Sequence, residues 1–107
     1  MVSGCKLFNQ NKINDAHDIW EIIWKKGNSI QKNIVKGLIQ LSGAAIQFER
    51  GKLNSVSYLL NLAIKNISKE KMLNNFICID VLIADLKSLV EKLENNNLKE
   101  IKINIKF

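Results

Sequence analysis

Two four-residue stretches, Asn11-Lys12-Ile13-Asn14 and Gly51-Lys52-Leu53-Asn54, stand 40 residues apart and constrain the fold more than any other feature. Each follows an apolar segment and opens another. Asn11 and Gly51 sit where a tight turn needs a left-handed residue, a conformation that asparagine and glycine reach most readily. Beyond the turns the inward positions match: Ile13 with Leu53, Ala16 with Val56, Trp20 with Leu60, Ile23 with Ala63. The pattern predicts two helical hairpins of a tetratricopeptide-like kind, although two copies are too few for a repeat array.

The spacing fills in the rest of an all-α chain. A short helix over Ser3 to Phe8 leads into the turn Asn9-Gln10-Asn11, and a second helix runs from Ile13 to Lys26 until Gly27-Asn28 ends it. Ser29 is placed to cap a third helix with a stripe of Ile30, Ile34, Leu38, Leu41, Ala45 and Phe48. Gly37 and Gly43 within that stripe cost helix propensity, so a neighbouring helix is expected to approach closely there. A fourth helix presents Leu53, Val56, Leu60, Ala63 and Ile67. Met72, Leu73 and Phe76 follow in a less regular stretch. Asp80 is placed to cap a last helix, Val81 to Glu94, with Leu82, Leu86, Leu89 and Leu93 inward and Asn95-Asn96-Asn97 as its stop. From Ile101 to Phe107 apolar and polar residues alternate as in a strand, with no second strand to pair. That tail is expected to lie extended across the bundle rather than pair with a second chain. The expectation is a compact bundle of about five helices in one domain, residues 1–107, with a helical core over about 3–94 and an extended tail over 98–107.

Composition limits the function classes. No apolar run approaches the ~20 residues that span a bilayer, and the first residues lack the apolar core of a signal peptide, which points to the cytoplasm. Cys5 and Cys78 match no metal or redox spacing, so both read as free thiols. The net charge is +6, yet of 16 basic residues only Arg50 is an arginine, the side chain best suited to phosphates and guanine edges. Abundant lysine, asparagine and isoleucine follow an AT-rich coding bias. A local cluster remains, Lys25, Lys26, Lys32 and Lys36, with no acid between Glu21 and Glu49. It reads as a solvated basic face before an anionic partner, and nucleic acid is the weakest reading.

The chemistry-bearing stretch is Asp15 to Trp24, D-A-H-D-I-W-E-I-I-W, which holds the only histidine and both tryptophans. His17, Glu21 and Trp24 fall at i, i+4 and i+7, along one side of a helix. On the wheel Trp20 belongs to the inward stripe, with His17 and Trp24 at its edge and Glu21 a little further round. That places a half-buried histidine beside a carboxylate at the border of the core. The pair can be structural, can line a ligand pocket, can perform acid–base work, or can supply two metal ligands. A metal needs further donors, and Gln40, Gln47 and Asp80 are weak ones. No phosphate loop and no cysteine–histidine pairing supports catalysis. The corresponding residues in the second hairpin are Ser57, Asn61 and Ile64, so the polar pair belongs to the first hairpin alone.

At these residues the chain resembles a bacterial and archaeal family termed domain of unknown function, number 309, marked by the motif H-x-x-x-E-x-x-W. Here it reads His17-x-x-x-Glu21-x-x-Trp24. The family's F-N-x-G turn corresponds to Phe8 to Asn11, its G-L-I-Q to Gly37-Leu38-Ile39-Gln40, its second glycine turn to Arg50-Gly51-Lys52, and its G-I-D-V to Cys78-Ile79-Asp80-Val81. The resemblance covers about residues 5–94 and implies an all-helical fold. It implies no established activity, although the motif has been suspected of binding metal. This chain has Gln47 where the family often has a second histidine and Asp18 where glutamate is usual, so the best additional metal ligand is missing.

The leading expectation is a small cytoplasmic helical module that binds a protein or small ligand in a groove near His17, Glu21 and Trp24, with Gln40 and Gln47 as further binding residues. The alternative is a metal-binding protein, a metal-dependent hydrolase among the options, with His17 and Glu21 holding a divalent metal. Monomer and homodimer both fit.

Overall fold

Helical periodicity without proline becomes five helices in the computed structural model, which describes residues 2–26, 29–69 and 77–107. They are α1 (Val2–Asn9), α2 (Ile13–Lys26), α3 (Ser29–Glu49), α4 (Leu53–Ser68) and α5 (Ile79–Glu94), and no strand occurs among the described residues. Each helix packs on its predecessor, and α3 against α4 is the most extensive junction. One apolar cluster draws on all five helices and the tail, with Trp20, Leu38, Leu41, Leu60, Leu86 and Ile105 sealed from solvent. The radius of gyration is 12.7 Å, close to the ~13 Å of a compact chain this long. Among the described residues no helix is long and apolar enough to cross a membrane.

The two matching turns share their hydrogen bonds as well as their sequence. In the first, the N–H groups of Asn11 and Lys12 donate to the carbonyls of Phe8 (3.0 Å) and Leu7 (2.9 Å). In the second, Gly51 and Lys52 donate to Phe48 (3.0 Å) and Gln47 (3.0 Å). This is the Schellman ending, which satisfies helix-terminal carbonyls through one left-handed residue. Asn11 has φ 63° and Gly51 φ 74°. A third copy ends α5, where Asn96 has φ 57° and Asn96 and Asn97 donate to Leu93 (3.1 Å) and Lys92 (2.8 Å). Local chemistry thus sets where α1, α3 and α5 stop.

The tail lies across its own bundle. Ile103 and Ile105 are buried while Lys102, Asn104 and Lys106 face solvent, as the alternation requires, but Phe107 is half exposed. In place of a partner strand, the Asn9 carboxamide grips Ile105 twice: its Nδ2 donates to the Ile105 carbonyl (2.9 Å) and its Oδ1 accepts from the Ile105 N–H (2.7 Å). The Lys106 carbonyl accepts from the Cys78 N–H at 2.9 Å.

Several expectations shift. Asp80 does not cap α5; Cys78 holds that position, tied to the tail, and Asp80 enters the first turn, where a negative charge favours the helix dipole. Leu53 is 48% exposed, whereas Ile13, its counterpart, is half buried against the core. Gly27, Asn28, Met72, Leu73 and Phe76 lie outside the described residues, as do the side chains of Ser29 and Ile30, although α3 does begin at Ser29. Of the two free cysteines, Cys78 is exposed and Cys5 is buried. Burial pushes the Cys5 thiol up to about 11, so at neutral pH it acts as a small core hydrophobe.

The glycines of α3 behave differently from each other. A Cβ on Gly37 would stand 2.4 Å from Ile67 Cγ1 and 3.1 Å from the Ala63 carbonyl, whereas one on Gly43 would meet only Leu59 Cδ1 at 3.4 Å. Replacing glycine by alanine in a helix gains ~1 kcal/mol of propensity, and overpacking a core costs ~1–3 kcal/mol. Gly37→Ala is therefore expected to lower stability and Gly43→Ala to raise it, as chemical denaturation of the two variants would show.

Candidate functional site: the groove between α2 and α3

The helical phase that buries Ala16 and Trp20 leaves His17 at the edge of the α2–α3 junction, its side chain 25% exposed. Across the junction α3 offers Ser42, fully buried. His17 Nδ1 lies 2.6 Å from Ser42 Oγ, and the Ser42 hydroxyl donates to the Ile39 carbonyl at 2.7 Å. That hydroxyl has one proton, so while it serves Ile39 its oxygen accepts from Nδ1–H. On the other side Nε2 lies 3.1 Å from Glu21 Oε1. With Nδ1 already protonated, this contact attracts only when Nε2 carries a proton too, as an imidazolium–carboxylate pair. With a neutral ring, the Ser42 hydroxyl turns to Nδ1 and Nε2–H donates to Glu21. Either way His17 is bonded on both sides.

Glu21 forms part of the wall of a groove of about 240 Å³ whose lining also includes Trp24, Lys25, Lys36, Ile39 and Gln40. Trp24 is 36% exposed, and Lys32 Nζ lies 5.2 Å from its ring centroid, a cation–π contact worth about 0.5–1 kcal/mol at such a site. Gln40 enters the groove with its Oε1 accepting from Asn66 Nδ2 at 2.8 Å, which fixes the carboxamide to α4. Trp20 is sealed in the core against Phe8, ring centroids 5.9 Å apart, and takes no part in the surface.

Of the residues singled out in the sequence, Glu21, Trp24 and Gln40 thus share one groove, with His17 behind Glu21. Gln47 does not join them. It lies two helical turns further along α3, and its Oε1 is buried without a hydrogen-bond partner among the described residues. Sequence reasoning missed Ser42, the residue that anchors His17, because a lone serine in a helix carries no periodic signal. Ile39 was missed too, as it lies off the main stripe of α3. In the second hairpin the counterparts bond to each other within α4: Asn61 Nδ2 donates to the Ser57 carbonyl at 2.9 Å. A second cleft of about 580 Å³ lies between the tail and the α1–α2 turn, lined by Phe8, Ile13, Phe48 and tail residues among others.

A metal fits this donor set poorly. Among the described residues no group of three or more His, Cys, Asp or Glu side chains is placed to hold one. A metal on His17 would also have to displace Ser42 or Glu21. Protein purified without a histidine tag is expected to carry no near-stoichiometric metal. His17→Ala is expected to cost about 1–3 kcal/mol of stability by stripping the buried Ser42 contact. Glu21→Ala is expected to cost under about 1 kcal/mol, because that carboxylate is 46% exposed. Metal analysis beside thermal melts checks this, and a bound metal lost in both variants would contradict it.

Comparison with known proteins adds one finding. A family model described as Domain of unknown function (DUF309) matches residues 1–59, which span α1 to α3 and the start of α4 and include His17, Glu21, Trp24, Gln40 and Ser42. No curated protein and no solved structure matches the chain. With more than half its length under that family model, the chain belongs to the DUF309 family.

Proposed function

We propose that this protein is a small cytoplasmic binding module, built on tetratricopeptide-like hairpins, that docks a partner in the α2–α3 groove. The observation that carries this reading is the convergence of Glu21, Trp24 and Gln40 on one concave surface with a large aromatic side chain left partly open. Half-exposed tryptophans in concave sites are a preferred anchor for partners, since they offer wide apolar area at low entropic cost. The fixed partners support the same role. His17 is held by Ser42 and Glu21, and Gln40 by Asn66, so the groove wall is preorganised rather than assembled on binding. His17 thereby acts as a support for Glu21, not as a reacting group.

Trp24→Ala is expected to weaken retention of a specific partner about tenfold or more in a pull-down. Its melting temperature should stay close to that of the wild type. Tyr58→Ala, which removes a ring 67% exposed on α4, should change neither. A partner set indifferent to Trp24→Ala, or no specific partner with either bait, removes the reading.

A further inference from the structure

The groove is smaller than the ~300–1,000 Å³ typical of small-molecule sites, at about 240 Å³. Its size suits one apolar side chain of a larger partner. Trp24 and Ile39 supply the apolar walls, and Lys25 and Lys36 flank them. Lys32, over the Trp24 ring, adds a third cation, and Lys26 continues the cluster on exposed surface. The one acid in the lining, Glu21, is turned onto His17. Lysines therefore outnumber the single carboxylate in the groove lining, and α3 adds no acid before Glu49. Glu21 repels a carboxylate at the wall, so acids on a partner belong at the lysine rim and an apolar group belongs inside.

We infer that the groove takes an acidic peptide segment carrying a single apolar anchor side chain. This rests on the α2–α3 groove being the binding site. Peptide is favoured over nucleic acid because the lining holds a pocket for one side chain and no arginine fork for phosphate.

The test is fluorescence anisotropy with four labelled probes. They are a peptide of aspartates and glutamates around one leucine, the same peptide with serine for leucine, the leucine peptide with glutamines for its acids, and a single-stranded oligonucleotide of equal charge. The acidic leucine peptide is expected to bind most tightly, with about a tenfold loss for each of the other probes. The double variant Lys25→Glu/Lys36→Glu should lose the acidic peptide by more than tenfold. Lys87→Glu, an exposed change on α5, should not affect it. Equal binding of the acidic and glutamine peptides, both lost in Trp24→Ala, leaves the groove as a binding site and overturns the acidic preference. An oligonucleotide that binds as tightly, with leucine and serine peptides alike, overturns the inference in favour of a general anion-binding face. If no peptide binds while Trp24→Ala still weakens partner retention, the inference falls alone; if neither measurement responds, the groove reading falls with it.

Discussion

A hydrogen bond between His17 and Ser42 links α2 to α3, and the geometry of the groove depends on it. Apolar packing of Ala16, Trp20, Leu38 and Leu41 brings the two helices together but leaves their rotation only loosely specified. A directional bond at 2.6 Å between a half-buried imidazole and a buried hydroxyl fixes it. Glu21 then takes its place from His17, and Trp24 stands one turn further along the same side of α2. A polar pair at the edge of a core thus orients an exposed aromatic residue that the core alone would not.

The same division runs through the molecule. Burial supplies the non-directional stabilisation, and a few directional contacts choose among arrangements that bury similar area. Schellman endings at Asn11, Gly51 and Asn96 aim the chain after α1, α3 and α5. Asn66 joins α4 to α3 through Gln40, and Asn9 holds the tail against the end of α1. Cys78, bonded to Lys106, lets the tail also set where α5 begins. The tail is therefore part of the core rather than an appendage: Ile105 is 1% exposed and Ile103 6%.

What could be read from the sequence was what repeats. The bounds of α2, the left-handed Asn11, the buried Trp20 and most of the inward stripes of α3 to α5, Leu53 excepted, follow from period and turn chemistry. What could not be read depends on residues far apart in the chain. Asn9 looked like a turn residue, and its grip on Ile105 joins positions 96 residues apart. Gly4 gave no signal, yet a Cβ there would stand 2.3 Å from the Trp20 indole nitrogen, so the small residue makes room for the large one. The site was half legible for the same reason. His17, Glu21 and Trp24 share one helix and one period, whereas Ser42 and Asn66 come from α3 and α4 and are known only once the helices are packed.

The most direct measurement is a double-mutant cycle on stability with His17→Ala, Ser42→Ala and the pair. A coupling of about 1–2 kcal/mol is expected if this bond pins α2 to α3. Effects that add to within about 0.3–0.5 kcal/mol would mean the two side chains are energetically independent, and the orientation of the groove would then have to come from packing alone.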